Sequence, residues 1–366
     1  MTARNSMTEA ERLTTIVFGD TFALYDDEEF NAFIQPFHER LAANDISADV
    51  FRGARCLDAG CGGGRGSVFM AECGAADVVG VDLSERNVET CTQRASSRGL
   101  SQCRFVQGSL LDIPFDDESF DVVWCNGVLH HTEDPDRGLV EIARVLRPGG
   151  RLWLYLYGSG GVYWFMVDWV RELLADHDVS DCIYQLRIMS IPVRRIAEWI
   201  DDWFSPFLRR YTVDDVRARL RELGFVDAEA LRGGTVYDTS QRLIGAGETE
   251  AQLMGEGDVR FFSTKVDGSR GNERPLPDPP DRKGSPYTDG PAVTALAEPL
   301  ARVRAALELV ESRVGSERGL YRVAVCSSVH SSVRSLLETD APFDTEWLRK
   351  HLVELEGTLD EFARAA

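Results

Sequence analysis

The sequence predicts a doubly wound α/β fold: a mainly parallel sheet with helices on both faces, a helical insertion and a helical C-terminal extension. Two observations predict it. Between residues 54 and 157 short apolar runs alternate with amphipathic, capped stretches, the pattern of strands joined by crossover helices. A glycine-dense run follows the first apolar run and opens the first of those helices. Sheets of this kind bind ligands at that position, beyond the carboxyl ends of their strands.

Residues 8–50 read as helices. Thr8 and Glu11 fit a capping box, and Phe18, Phe22, Tyr25, Phe30, Phe33 and Phe37 follow. These rings are expected either in the core or, in part, on a lid over a ligand pocket. Strands are expected at 54–59, 77–82, 103–108, 120–125 and 151–157, with helices near 66–73, 84–97 and 135–146. Ser84 caps the second helix, and Asp134-Pro135 starts the third with proline at the first helical position. Pro148-Gly149-Gly150 turns into the fifth strand. The Trp-rich stretch 162–204 interrupts the alternation. A capped helix (212–223) and strands at 225–230 and 259–266 complete the sheet. Six of the 14 prolines fall in 267–291, a linker or extended arm. Helices follow: Leu296, Leu300, Val303, Leu307, Val310 and Val314 repeat at heptad-like spacing, and Asp344 caps a last helix. The segment 320–337 reads either way, since Tyr321–Val325 alternates like a strand. The expected organisation is a helical lid segment at 1–50 and a ligand-binding domain at 51–267, with a helical substrate-cap insertion at 162–210. A linker at 268–291 and a helical extension at 292–366 follow.

The composition bounds the function. Of 366 residues 43% are hydrophobic and 27% charged, with 40 Lys and Arg against 60 Asp and Glu, for a net charge of −20. This is a globular composition. So acidic a surface repels phosphate backbones and anionic lipid, so neither nucleic acid nor membrane is an expected partner. No run approaches the 18 or so apolar residues that span a bilayer, and the start lacks an apolar signal core. A cytoplasmic protein is expected. Its eight cysteines show no CxxC spacing and read as buried reduced thiols.

The chemistry concentrates in Cys56-Leu57-Asp58-Ala59-Gly60-Cys61-Gly62-Gly63-Gly64-Arg65-Gly66. Glycines allow positive φ and close backbone approach, and a helix N-terminus favours anionic groups. The glycines alternate as GxGxGxG. Arg65 and Ser67 stand where the dinucleotide fingerprint needs glycine, and no GK[ST] follows, so neither NAD nor a Walker phosphate site fits. Asp82 ends the second strand, where a carboxylate can accept from both hydroxyls of a ribose. Ser84 already caps the helix beyond it.

These motifs resemble class I S-adenosylmethionine (SAM)-dependent methyltransferases. Asp58-Ala59-Gly60-Cys61-Gly62-Gly63-Gly64 matches their glycine motif. Three more stretches match in order: Ile113-Pro114-Phe115-Asp116-Asp117-Glu118-Ser119-Phe120-Asp121-Val122-Val123, Gly127-Val128-Leu129-His130-His131-Thr132 and Glu141-Ile142-Ala143-Arg144-Val145-Leu146-Arg147-Pro148-Gly149-Gly150. Together they look like the subgroup with small-molecule and quinone methyltransferases. The resemblance implies a Rossmann-like, seven-stranded sheet with an antiparallel last strand, and SAM as cofactor. It implies that Asp58 and Gly60, Cys61, Gly62 and Gly64 line the methionine and ribose end of SAM. Asp82 then holds the ribose hydroxyls, Leu83 packs on adenine, Ser109 and Leu110 border the adenine edge, and Asn126 faces the methionyl group. Many relatives carry aspartate where Ser109 stands, which leaves the partner of the adenine amino group open.

Methyl transfer from an activated sulfonium needs positioning and water exclusion more than covalent help. A base is required only for a nucleophile with a poorly acidic proton. Three candidates gather after strands four and five: His130, His131 and Tyr157. The histidine pair serves either as base or to orient its loop; Tyr157 either binds substrate or caps the core. Asp168, Asp201 and Asp202 read as a solvated helix face or as a grip on a cationic or hydroxylated substrate. No paired carboxylates stand at ligand spacing near these motifs, so no metal is expected. The leading expectation is methyl transfer to an O, N or C nucleophile of a small molecule, in specialised metabolism. Non-transfer SAM chemistry and a non-catalytic SAM-binding partner protein are the alternatives. The C-terminal helices suit a partner surface, a homodimer interface or packing on the lid.

Overall fold

The structure is a computed structural model, and it describes residues 8–231, 253–266, 291–314, 318–338 and 345–365. The expected linker at 268–291 lies almost wholly outside the described residues. Three helices come first: α1 (Glu9–Phe22), α2 (Asp27–Ala32) and α3 (Gln35–Ala43). Thr8 and Glu11 close the capping box at α1, and Asp26 with Glu29 closes a second at α2. Then come β1 (Arg55–Ala59), α4 (Arg65–Glu72), β2 (Asp77–Asp82), α5 (Glu85–Ser97), β3 (Cys103–Gln107), β4 (Phe120–Asn126), α6 (Pro135–Val145) and β5 (Leu146–Tyr157). After an excursion of three helices the chain returns with α10 (Val213–Glu222), β6 (Phe225–Val226) and β7 (Asp258–Lys265).

The sheet order is β3-β2-β1-β4-β5-β7-β6. Strands β1 to β5 are parallel, and β7 runs antiparallel between β5 and β6. The order reverses between β1 and β4, which opens a crevice at their carboxyl ends. Successive side chains of each inner strand serve opposite layers, as a sheet covered on both faces requires. Leu57, Val79, Val123 and Leu152 pack with Leu139 and Ile142 of α6 and Val216 and Leu220 of α10. Their neighbours Cys56, Val78, Val122 and Trp153 pack with Phe37 and Leu41 of α3 and Phe69 and Met70 of α4.

Two boundaries differ from expectation. β5 begins at Leu146, paired with Phe120, and pairing resumes at Arg151 against Val122. The Pro-Gly-Gly segment is thus a bulge inside a strand rather than a turn before it. β6 is two residues long, with one further bridge from Ala230 to Phe261.

Compactness divides the described chain in two. The first unit holds residues 8–158, 205–231 and 258–266; the second holds 159–204, 253–257 and the C-terminal helices. The second unit is built from α7 (Gly161–Leu173), α8 (Val179–Ile188), α9 (Val193–Phe204), α11 (Pro291–Val314), α12 (Arg318–Glu338) and α13 (Thr345–Ala365). The C-terminal helices therefore fold with the Trp-rich insertion, α12 packing on α7, α8, α11 and α13. The ambiguous segment 320–337 is helix. Asp202 leaves the expected solvated face: it is buried and accepts from Tyr163 Oη at 2.5 Å. Among the described residues no helix is long and apolar enough to cross a membrane.

Candidate active site

The site grows from the turn between β1 and α4. Gly60, Gly62 and Gly64 take φ of +76°, +50° and +86°, values that L side chains with a Cβ avoid. Space repeats the demand: a Cβ on Gly60 would lie 2.3 Å from Val128, and one on Gly62 2.6 Å from Phe22. The loop is held from below. Gly60 and Cys61 donate their N–H groups to Val81 O at 2.8 and 3.0 Å, and Arg94 Nη1 donates to Gly63 O at 2.7 Å. Cys91 Sγ donates to Gly62 O at 3.0 Å. Cys61 itself is buried, with Sγ 3.0 Å from where a Gly80 Cβ would stand. It serves the loop through its backbone.

Two carboxyls border this loop. Asp58, at the end of β1, is buried and accepts from Ser67 Oγ at 2.7 Å. Burial raises its pKa to about 7, against the Ser67 hydrogen bonds and with help from the charge of Asp82. Asp82, at the end of β2, accepts from Gly62 N (2.8 Å) on Oδ2, and from Ser84 N (2.9 Å) and Asn87 Nδ2 (3.1 Å) on Oδ1. Burial raises this pKa too, and those three donors oppose the shift. A carboxylate has about four acceptor positions, so Oδ2 keeps capacity for a further donor. Beside it Leu83 is half-buried, and its carbonyl is held by Gln107 Nε2 at 3.1 Å. Ser109 and Leu110 follow β3; Ser109 Oγ accepts from Leu111 N at 3.2 Å, and Leu110 is buried.

The far side is the carboxyl edge of β4 and β5. Asn126 Oδ1 accepts from Trp153 Nε1 at 2.9 Å, a bond that ties it to the layer below. His130 and His131 stand on the short 3-10 turn after β4, ring centroids 4.0 Å apart, with Tyr157 stacked on His130 at 3.9 Å. Both histidines are buried. Neither ring nitrogen of His130 has a hydrogen-bond partner among the described residues. Burial, and then its neighbour His131, push the pKa of His130 well below the usual histidine range, which favours its neutral form. His131 Nδ1 lies 3.0 Å from Phe207 O. Asp58, Asp82, the glycines and the histidine pair thus converge on one edge of the sheet.

α1 lies across that edge. Phe18 meets the His131 ring at 4.9 Å, Phe22 meets Gly62, and a Cβ on Gly19 would lie 3.3 Å from Ser84 Oγ. The Arg65 guanidinium sits over the rings of Phe22, Tyr25 and Phe33 at 5.4, 5.8 and 4.8 Å, each a cation–π contact. Sequence reasoning saw these rings but not their seat. It missed Tyr155, whose hydroxyl donates to Asp258 Oδ1 at 2.8 Å under the Arg260 guanidinium. It also missed Phe207 and Arg209, which touch the histidine loop.

Two weakly acidic carboxyls beside a loop rich in N–H groups suit a ligand bearing both cationic and hydroxyl groups. SAM, with its sulfonium, ammonium and ribose, is such a ligand, and the residues present fit it. Residues 57–154 match the family described as "Methyltransferase domain". Over 101 residues the chain is 41% identical to the 27-O-demethylrifamycin SV methyltransferase of Amycolatopsis mediterranei, covering 27% of this chain and 37% of that one. Over 152 residues it is 35% identical to the fatty-acid O-methyltransferase of Mycolicibacterium smegmatis, covering 41% and 52%. Over 113 residues it is 41% identical to the demethylmenaquinone methyltransferase of Clavibacter sepedonicus, covering 31% and 44%. The chain thus spans about half, or less, of the length of each of these relatives. The sheet order, the glycine loop and the β2 carboxylate agree with the matched family, and the chain carries a class I SAM-dependent methyltransferase domain.

Proposed function

We propose that the protein is a cytoplasmic enzyme that transfers the methyl group of SAM to an oxygen, nitrogen or carbon nucleophile of a small molecule in specialised metabolism. The observation that carries this reading is the pair of carboxyls, buried Asp58 and half-buried Asp82, on either side of the Gly60–Gly64 loop. When bound, SAM supplies an already activated methyl group and departs as S-adenosylhomocysteine. Asp82 accepts from the ribose hydroxyls, Asp58 offsets the cationic end, and Leu83 and Leu110 give the base an apolar border. α1, with Phe18 and Phe22 over the loop, excludes water and so strengthens every electrostatic contact beneath it. Where the nucleophile carries a proton, the His130–His131–Tyr157 cluster receives it. The relatives named for 27-O-demethylrifamycin SV, fatty acids and demethylmenaquinone support an apolar or ring-bearing acceptor. The net charge of −20 disfavours nucleic acid.

The test is incubation of the pure protein with methyl-labelled SAM and a metabolite extract, followed by mass spectrometry. Label in a small molecule, with one S-adenosylhomocysteine released per label, is expected. Label confined to nucleic acid or protein, or no label while SAM binds, would overturn the reading.

A further inference from the structure

The chain leaves the first unit after β5 and re-enters it at residue 205. Between that re-entry and α10 it passes the histidine loop and binds it four times. Arg209 N donates to His130 O at 3.0 Å. The Arg209 guanidinium donates to two further carbonyls of the same loop, Thr132 O through Nη1 and Glu133 O through Nη2, the latter at 2.8 Å. Phe207 O meets His131 Nδ1 at 3.0 Å. The strap is itself anchored. Arg209 packs over the Phe207 ring at 5.0 Å, and Tyr211 N donates to Tyr157 O at 2.9 Å on β5. Segment 207–211 therefore ties the end of β5 to the loop after β4.

The polarity of one of these bonds is decisive. A backbone carbonyl only accepts. The contact to Phe207 O is therefore a hydrogen bond only if His131 carries its proton on Nδ1. A neutral imidazole has one N–H and one lone pair, so the lone pair is then on Nε2. The hydrogen bond at one ring nitrogen decides which atom of a histidine is left to act as base. His130 has no such orienting partner among the described residues.

We propose that Arg209 is a positioning residue for methyl transfer: it holds residues 130–133 against the strap, so that the Phe207 carbonyl fixes His131 as the Nδ1–H tautomer and Nε2 becomes the proton-accepting atom. The proposal rests on the methyl-transfer reading above and deepens it, choosing one atom among the candidate bases. In the transfer step the acceptor's lone pair forms the new bond to the methyl carbon. The carbon–sulfur bond breaks with its electron pair going to sulfur, and the acceptor's proton passes to His131 Nε2. Arg209 touches neither reactant; it keeps the receiving atom in place.

The test reads the ring directly. Nitrogen-15 NMR of the histidines in the full chain, with the His131 signal assigned by its loss in His131→Gln, reports which nitrogen bears the proton. The Nδ1–H form of His131 is expected, with and without SAM. Arg209→Ala is expected to populate the other tautomer while SAM affinity by calorimetry stays within about threefold, which shows the fold is kept. Arg209→Lys keeps the charge and reaches one of the two carbonyls, so it should fall between. Labelled-methyl transfer should drop about tenfold or more in Arg209→Ala, the scale of a displaced base. An Nε2–H tautomer in the wild type, or a His131 signal indifferent to Arg209→Ala, would overturn the proposal. These signals need no methyl acceptor, so a failure of the methyl-transfer reading shows separately, as absence of labelled product.

Discussion

Phe22 lies against Gly62: a Cβ on the glycine would stand 2.6 Å from the ring. A helix from the N-terminal segment thus packs directly on the loop assigned to the cofactor, and Arg65 holds three of that segment's rings at its own end of the loop. Phe22→Ala should leave the sheet intact and loosen the cover. SAM is expected to dissociate about tenfold faster, a loss on the scale of one half-buried aromatic contact. Stopped-flow displacement of SAM checks this; an unchanged off-rate would mean that α1 does not cover the bound cofactor.

Asp82 accepts from three N–H groups of its own chain before any ligand arrives. Asp82→Ala therefore costs twice. It orphans the Gly62 and Ser84 amides, at about 1–3 kcal/mol for each buried group left unpaired, and it removes the proposed ribose acceptor. A lower Tm and loss of the SAM-induced rise in Tm are expected together. Asp82→Asn separates the two effects: its amide oxygen keeps part of the loop's order, yet it cannot accept at both positions. SAM affinity should fall about a hundredfold or more even where Tm recovers.

Where periodicity was clean, sequence and structure agree. The ends of β2 at Asp77 and Asp82, the Ser84 cap and the Asp134-Pro135 start are all visible in the residues. α12 was not, for a physical reason. Its buried residues Val323, Cys326, Val329, His330 and Val333 are joined by Val325, Ser327 and Ser332, so burial surrounds the helix. One apolar stripe marks a helix that buries one face only. The glycine loop was legible because positive φ and close packing demand glycine there, and Asp82 because a carboxylate ending that strand accepts N–H groups of the loop and of the next helix's start. The Phe207 carbonyl was not, since every residue has one, and Arg209 is distant in sequence from the loop it holds.

Inside the second unit, Tyr163, Asp202, Trp203 and His330 form one directed chain. Trp203 Nε1 donates to His330 Nδ1 at 2.9 Å, and Tyr163 Oη donates to Asp202 Oδ2 at 2.5 Å and lies 3.3 Å from His330 Nε2. An indole N–H only donates, so His330 must be the Nε2–H tautomer. His330→Leu keeps the volume but leaves the Trp203 N–H buried without its acceptor. A loss of about 1–3 kcal/mol is expected, read as a lower urea midpoint by tryptophan fluorescence, while SAM binding to the first unit is unchanged. His330 lies on α12 and the other three residues on α7 and α9, so this one side chain reports whether the insertion and the C-terminal helices fold as a unit.

Asp58 gives the pH dependence its sign. Unfolded, an aspartate titrates near 3.8; folded, burial holds Asp58 near 7. Between those values the folded protein keeps a proton that the unfolded chain has lost. The contribution to stability is therefore fully present below the lower value and declines as pH rises, the loss being complete once Asp58 has ionised above about 7. Its size is on the order of a few kcal/mol. Asp58→Asn cannot ionise, so relative to wild type it should gain stability between about pH 5 and about pH 8, as urea midpoints would show. SAM reverses the logic. A cationic ligand beside Asp58 favours the ionised carboxylate, so binding at pH values just below the folded pKa should release a proton. Calorimetry in buffers of different ionisation enthalpy counts that proton. Wild type should release it and Asp58→Asn should not, whereas equal release from both would place the cationic end of the cofactor away from Asp58.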